Sequence, residues 1–308
     1  MRDPTLLLPF ALPPAQHAKD LIAALHAPSL AILLARAAEL PELRFDGFAA
    51  ALPHEMLLYG SGTDNSPPLA HPTMQRLGMP PQEGYWFMLQ PVHLHIARDH
   101  LVLTDQRHMV INEDESRTLF DSAAPLFQEL GYDVRFGDAR HWFVRADDWH
   151  GLRTTTPDAA AGHNVDVWLP AGEHARAWRK LHNEVQMLWH GHPLNETREL
   201  HGQPRINALW LWGGGSPEQS VEMHQEIITD EALITSALAD DWGRWLTTMQ
   251  DLDQAIIAPH LHKLQSNDID SLTLQLSDAT RVRRWRATRF GLKKFWRTPS
   301  LANLLHTP

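Results

Sequence analysis

Apolar and polar residues alternate along this chain with two periods, one typical of strands and one typical of helices. The run TLLLPF (5–10) is short, apolar and bounded by prolines, which predicts a buried strand. Stretches around 15–26 and 28–39 repeat apolar residues at spacings of three and four, which predicts two helices. SLTLQLSD (271–278) alternates strictly, so we expect a strand there and a turn at 278–280.

The middle of the chain combines a hairpin pattern with long helical patterns. Within 85–105, VHLHI and HLVL flank Ala-Arg-Asp, which predicts two antiparallel strands joined by a polar turn. The segment 112–132 opens with acidic residues and ends at a glycine, as helices commonly do. Further helices are predicted at 173–192 and at 241–265, the last with a break at Pro259.

The stretch NALWLWGGG (207–215) is uniformly apolar up to its three glycines. This composition predicts a central strand rather than one with a solvent-facing side. We expect the glycines to form a turn and Ser216-Pro217 to begin a helix. A strand–glycine–helix order directs helix amides towards an anion, whereas the alternative interpretation is a tight corner in a packed sheet. The segment lacks both the phosphate-loop lysine and the GxGxxG dinucleotide pattern.

Strands that alternate with long helices predict an α/β fold: a mixed, partly parallel sheet flanked by helices. There is no internal repeat and no long linker, so we expect residues 1–308 to form a single α/β domain. The region around 85–165 could form a smaller α+β lobe of it. The basic C-terminal segment 281–308 is distinct in composition.

Composition narrows the class of protein. The chain has 308 residues and no cysteine, which excludes disulfides, thiolate metal sites and a cysteine nucleophile. The most apolar window, 21–40, is interrupted by His26, Pro28 and Arg36, and the first residues make a poor signal peptide. We therefore expect a cytoplasmic protein without a membrane span.

Charge is unevenly distributed. The net charge is −10, and the segment 281–308 holds eight basic residues and no acidic one, so the remaining chain carries −10 − 8 = −18. Such a segment could bind nucleic acid or an acidic protein partner. The alternative is that it packs on the acidic part of its own chain or forms a solvated edge.

Twenty histidines raise the question of a metal site. His93 and His95 lie two apart on a predicted strand, and His190 and His192 flank Gly191. Neither pair has a third ligand at a diagnostic spacing, and the chain contains no HExxH and no GxSxG. Structural or surface histidines are therefore the favoured interpretation.

One long segment resembles a known family. HPLNETRELHGQPRINALWLWGGG (192–215) is similar to a segment of the archaeal-type cofactor-independent phosphoglycerate mutases of the alkaline-phosphatase superfamily. The whole chain resembles more closely the RpfE-type regulatory proteins, which are often described as phosphoglycerate mutases. The segments PVHLHIARDHLVL, HNEVQMLWHGHPLNETRE and NALWLWGGG carry that resemblance, which extends from about residue 85 to the end.

The resemblance implies a two-metal centre that activates a Ser or Thr for phosphoryl transfer. In the family, the first strand ends in Asp-Gly, but Pro9-Phe10 stands there in this chain. A later strand ends in Asp-His before a Thr-Pro pair; the counterpart here keeps Asp278 and Thr280 but has Ala279 in place of His. We therefore predict no catalytic residue, no metal and no cofactor.

The matched polar residues imply a retained ligand site. An Arg guanidinium, Asn amides and turn amides suit a small phosphate or carboxylate ligand. The predicted ligand-binding residues are Asn195, Arg198, Asn207, Gly213, Gly214 and Gly215. We thus expect a catalytically degenerate, regulatory or anion-binding protein. The alternatives are an active mutase or phosphatase, an interaction protein that uses 281–308, and a purely structural role for Asn195 and Arg198.

Overall fold

The computed structural model describes residues 3–60, 64–80, 83–219, 227–292 and 297–305. In chain order its strands are β1 (Thr5–Leu8), β2 (Ala38–Arg44), β3 (Trp86–Val92), β4 (Leu94–Ala97), β5 (His100–Leu103), β6 (Asp133–Phe136), β7 (Trp142–Arg145), β8 (Ala208–Gly215), β9 (Ile227–Thr229), β10 (Ser271–Ser277) and β11 (Arg281–Thr288).

Its α-helices, in the same order, are α1 (Ala18–Ala24), α2 (Pro28–Arg36), α3 (Pro53–Tyr59), α4 (Ala70–Arg76), α5 (Glu113–Glu129), α6 (Pro157–Ala160), α7 (Ala175–His190), α8 (Pro193–Leu200), α9 (Ala232–Leu238), α10 (Trp242–Leu252), α11 (Ala258–Gln265) and α12 (Arg289–Leu292).

The chain groups into two compact units. The first comprises residues 1–47 and 224–308, and the second comprises 48–223. The range 85–165, predicted as a smaller lobe, lies inside the second unit.

The first unit is built on a five-stranded sheet in the order β2-β11-β10-β1-β9. Strand β1 runs parallel to both β10 and β9, whereas β10, β11 and β2 are antiparallel neighbours. Helices α2 and α11 pack on its strands. The prediction of a mixed, partly parallel sheet flanked by helices is confirmed.

Helices α10 and α11 are joined by a π-helical turn, Asp253–Ile257. Pro259 was predicted as a break in this helix, but the helical backbone continues through it; the π-helical turn ends two residues before it, so the regular hydrogen-bond pattern is altered next to the proline. The π turn places the buried Asp253 carboxylate at the start of α2. There it accepts hydrogen bonds from the backbone N–H groups of Ser29 (3.1 Å) and Leu30 (2.7 Å).

The second unit contains an antiparallel sheet in the order β6-β7-β3-β8 and the ribbon β4-β5. Strand β3 contributes side chains to both faces of the sheet. Phe87 and Leu89 belong to the core built with α5 and α7, while Trp86 and Met88 belong to a second cluster with residues of α4. The predicted hairpin is confirmed as β4-β5, with Arg98 at φ 61° in its turn.

Strand β8 corrects two predictions. It lies at the edge of its sheet rather than in the centre, yet it is almost wholly buried. Neighbouring loop residues cover it: Ser66 Oγ accepts from the Gly213 backbone N–H (2.8 Å), and the Thr155 carbonyl accepts from the Trp210 indole N–H (2.8 Å). The three glycines also continue the strand instead of forming a turn, and a short 3₁₀ turn, Pro217–Gln219, follows. Residues 220–226, where a helix was predicted to continue, lie outside the described residues.

Among the described residues, no single helix has the length and apolar character to cross a membrane, although α1 and α2, bent by 116°, meet that test together.

Candidate functional site

The side chain of Asn195 joins the two ends of the segment that leads into β8. Its Nδ2 donates to the carbonyls of Trp189 (3.0 Å) and Ile206 (2.8 Å), and its Oδ1 accepts from the Ile206 N–H (2.8 Å). The residue is fully buried. Since both polar atoms of the amide are bonded to backbone, Asn195 stabilises the connection between α7, α8 and β8.

Arg198, on α8, is a buried cation, and each of its three guanidinium nitrogens donates to an internal acceptor. Its side chain is 1% exposed, and Nη1 donates to Glu115 Oε1 at 2.8 Å. Nε donates to the Pro204 carbonyl (2.9 Å) and Nη2 to the Val110 carbonyl (2.8 Å). A ligand that approached this guanidinium would have to replace these acceptors.

Asn207 precedes β8, and its side-chain amide forms hydrogen bonds with the backbone of β4. Its Oδ1 accepts from the Leu94 N–H and its Nδ2 donates to the Leu94 carbonyl, both at 2.8 Å. Its own N–H donates to the Val92 carbonyl at 3.0 Å. The side chain thus pairs with the outer edge of β4 as a neighbouring backbone would.

The three glycines allow close packing around the end of β8. A Cβ on Gly214 would lie 2.3 Å from Cε1 of Phe87, and a Cβ on Gly215 would lie 2.6 Å from Cβ of Pro68. Gly213 has φ +70°, and a Cβ there would lie 2.6 Å from Cε of Met88. The absence of side chains is therefore explained by the neighbours in the sheet and by one left-handed backbone position.

The predicted site residues form two groups rather than one pocket. Asn195, Arg198 and Asn207 surround the start of β8, and the glycines lie at its other end. Asn207 and Gly214 are seven residues apart, which is about 23 Å along a strand at ~3.3 Å per residue. A ligand-binding role for either group stays a prediction.

The carboxyl ends of the parallel strands are the usual ligand-binding edge of an α/β sheet. Here β1 is followed by Pro9 and Phe10, with Phe10 buried and at φ 57°. The Phe10 N–H donates to Ser277 Oγ (3.4 Å), and its carbonyl accepts from Trp245 Nε1 (2.8 Å). The end of β1 is thus closed by an apolar side chain and a tryptophan.

Asp278 follows the neighbouring strand β10 and is occupied by its own turn. Its carboxylate accepts from the N–H groups of Thr280 (2.9 Å) and Arg281 (3.0 Å) and from Arg281 Nε (2.5 Å). Ala279 offers no ligand atom. Within the part of the chain that the structure describes, no three His, Asp or Glu residues are grouped so as to hold a metal ion. The ends of β1 and β10 therefore supply no free ligand for a two-metal centre, which needs several carboxylate or imidazole ligands.

The basic C-terminal segment is largely part of the first unit. Arg281 and Arg283 are buried on β11 and form ion pairs with Asp278 and Glu39. Arg284 donates to the Pro41 carbonyl, at 3.2 Å from Nε and 3.1 Å from Nη2. Lys293 and Lys294 lie outside the described residues. Partner binding through 281–308 stays a prediction.

The two histidine pairs have local roles. The rings of His93 and His95 stack with centroids 6.2 Å apart, and burial lowers the pKa of His93. His192 begins α8, where its Nδ1 accepts from the Leu194 N–H at 3.2 Å. His190 is exposed. These observations agree with the interpretation of the four residues as structural or surface histidines.

Sequence patterns did not indicate one partly buried cluster of charged residues in the second unit. Arg107 forms a bidentate ion pair with Asp158 (3.0 and 2.5 Å) and also contacts Asp105 (2.9 Å). Burial lowers the pKa of the neighbouring His54 to about 4, with Asp158 opposing and Arg107 reinforcing the shift. Buried groups with shifted pKa values often mark functional sites. Because Arg107 and Asp158 are 51 residues apart, no local motif could have revealed the group.

Comparisons with known proteins show sequence similarity over only part of the chain. No family model matches the chain. Over 112 residues it is 29% identical to the 2,3-bisphosphoglycerate-independent phosphoglycerate mutase of Methanosarcina barkeri, a match that spans 34% of this chain and only about a quarter (27%) of that relative.

Two solved structures resemble the chain at low identity. The cofactor-independent phosphoglycerate mutase from Thermoplasma acidophilum has 14% identity, a TM-score of 0.39 and coverage of 98% of this chain and 94% of its own. The PH0037 protein from Pyrococcus horikoshii has 12% identity, a TM-score of 0.45 and coverage of 94% and 88%. The chain therefore has weak, local sequence similarity to a phosphoglycerate mutase, while the finer RpfE-type assignment stays a prediction.

Proposed function

We propose that this protein is a catalytically degenerate relative of the phosphoglycerate mutases that acts as a regulatory or small-anion-binding protein. The observation that carries the proposal is the pair of strand ends at β1 and β10. Pro9-Phe10 and Asp278-Ala279 occupy the positions where the resemblance to the mutases places metal ligands. The two strands are parallel neighbours, so their carboxyl ends lie side by side.

Physical chemistry supports this proposal. Two divalent cations close together need a set of anionic and imidazole ligands to offset their charge. The buried Phe10 ring offers none, and the Asp278 carboxylate already balances the Arg281 guanidinium. Restoring a metal centre would therefore require the turn at 278–281 to open as well as new ligands.

The ligand of the proposed function is a small phosphorylated or carboxylate anion, and 3-phosphoglycerate is the natural probe. Arg198 is the cation of the predicted site, but its internal acceptors would compete with any such ligand. We therefore expect affinity no tighter than the micromolar range, about −8 kcal/mol.

The test combines metal analysis, a mutase assay and thermal unfolding of the full chain. We expect no stoichiometric Mn, Zn, Co or Mg in the purified protein, and no isomerisation of 3-phosphoglycerate with any of these ions added. The melting temperature should rise with 3-phosphoglycerate in the presence of a chelator, because a ligand that binds only the folded state stabilises it. Divalent metal alone should leave it unchanged.

Each half of the proposal can fail by itself. Bound metal together with turnover of 3-phosphoglycerate would overturn the hypothesis that catalytic activity has been lost. An active cofactor-independent mutase run in parallel validates the assay. An unchanged melting temperature at millimolar 3-phosphoglycerate and at millimolar inorganic phosphate would remove the anion-binding half.

An active phosphoglycerate mutase is the second candidate, and the local similarity to the Methanosarcina barkeri enzyme favours it. Under this alternative, metal ligands would come from elsewhere in the chain, including residues outside the described ranges. Turnover in the assay above decides between the two candidates.

A further inference from the structure

A cleft in the first unit lies between the α1–α2 pair and the C-terminal residues 299–305. We call it the α1–α2 cleft; its volume is about 470 Å³. Ligand sites for small molecules typically measure ~300–1,000 Å³. Ten of the thirteen lining residues are apolar, among them Ile22, Leu25, Leu301 and Leu305. An apolar wall of this kind favours an aliphatic body in the bound molecule.

The C-terminal wall of the cleft is fastened to helix α2. The carbonyls of Leu34 and Ala35 accept hydrogen bonds from Asn303 Nδ2 (3.0 Å) and Arg297 Nη1 (3.2 Å). These carbonyls belong to the last turn of the helix, which has no intrahelical partners for them. Leu304 is buried beside these contacts. The cleft is therefore lined on one side by α1–α2 and on the other by C-terminal residues that are held in place.

The polar lining of the cleft carries only positive or neutral groups. Lys19, His26 and Ser300 are its three polar residues, and none of the described lining residues is acidic. Two carboxylates of nearby elements lie outside the lining: the exposed Asp20, which follows Lys19, and the buried Asp253, which is bonded to two N–H groups of α2. An anionic head group would complement this charge distribution.

We propose that the α1–α2 cleft binds a free amphipathic anion, an aliphatic chain that ends in a carboxylate. The chain lies along the apolar wall and the carboxylate pairs with the Lys19 ammonium. A free molecule is the occupant because the cleft is concave and lined on two sides, by α1–α2 and by residues 299–305, whereas a bilayer would need a continuous apolar face. This site is independent of the mutase-like function proposed above and takes a different ligand class.

The test is titration calorimetry of the full chain with decanoate below its micelle concentration. We expect one saturable site for decanoate. Acetate lacks the long aliphatic chain and decan-1-ol lacks the carboxylate, so each should bind at least ~10-fold more weakly. Lys19→Glu should weaken decanoate at least ~10-fold. Lys263→Glu, an exposed lysine outside the cleft, should change it less than ~2-fold.

Occlusion provides a second, independent measurement. Ala23 is exposed and lines the cleft, whereas its neighbour Ala24 is exposed and does not. Ala23→Trp should abolish decanoate binding and Ala24→Trp should preserve it, with circular dichroism confirming that both fold. Equal binding by the wild type and Lys19→Glu would overturn the proposal. So would no saturable binding, or binding only to vesicles containing phosphatidylglycerol.

Discussion

The buried Arg198 guanidinium and the partly buried Glu115 carboxylate form an ion pair at 2.8 Å that joins α8 to the start of α5. Glu115 has a second role, because its other oxygen accepts from the Asn112 N–H (3.0 Å) in the capping box of α5. The arginine predicted to recognise a ligand thus holds together two helices whose residues are 83 positions apart.

Arg198→Ala should lower the free energy of unfolding by about 3–5 kcal/mol. The substitution leaves a partly buried carboxylate and two carbonyls without their donor, which costs far more than the pair itself contributes. Urea denaturation followed by tryptophan fluorescence measures the change. Lys180→Ala, which removes an exposed pair with Glu184 at 3.8 Å, serves as control and should cost less than ~1 kcal/mol. Similar values for the two variants would contradict the structural role of Arg198.

Gly214→Ala should destabilise the protein by about 1–3 kcal/mol because the new methyl group would overlap the buried Phe87 ring. Gly191→Ala is the matched control, since Gly191 has φ −102° and open space around the position of a Cβ. We expect that control to be neutral within ~0.5 kcal/mol. If both variants melted at the same temperature, the glycines of β8 would need another explanation.

Local features of the fold were predictable because their causes lie within a few residues. The β10–β11 turn at 278–280 is closed by the Asp278 side chain, and α5 begins where Asn112 and Glu115 form a capping box. Such contacts depend on spacing in the sequence, which a single chain displays directly.

The position of β8 and the partners of the candidate site could not be predicted in this way. Uniform apolarity indicates burial, but it cannot distinguish a central strand from an edge strand covered by Ser66 and Thr155. The same holds for Arg198, whose spacing to Asn195 suggested a ligand while its partners, Glu115 and the Val110 carbonyl, come from distant residues. The pattern of apolar and polar residues does not show which residues distant in the sequence contact each other.

His182 should make the protein less stable in acid. Burial on α7 against Trp178 lowers its pKa to about 4, below the ordinary value of 6.5. The folded state keeps the imidazole neutral while the unfolded chain protonates it, so its contribution is complete above pH 6.5 and is lost as the pH falls from 6.5 towards 4. The loss is on the order of 3 kcal/mol for this residue.

The measurement is the free energy of unfolding of wild type and His182→Phe at pH 7, 5.5 and 4. The variant keeps an aromatic ring but cannot titrate, so the difference between the two proteins should shift in favour of the variant as the pH falls. A constant difference across this range would mean that His182 is already solvated in the folded state.

Removing residues 281–308 should yield an aggregated protein rather than one that has merely lost a binding segment. Strand β11 lies between β10 and β2, so its loss leaves β10 with an open edge and exposes apolar surface that Trp285 now covers. Arg284→Ser combined with Arg286→Ser removes two charges but keeps the strand. We expect this variant to remain monodisperse in size-exclusion chromatography, because both arginines are partly or fully exposed. It is therefore the variant with which to measure binding of an acidic protein, and a soluble truncated chain would show that β11 is dispensable for folding.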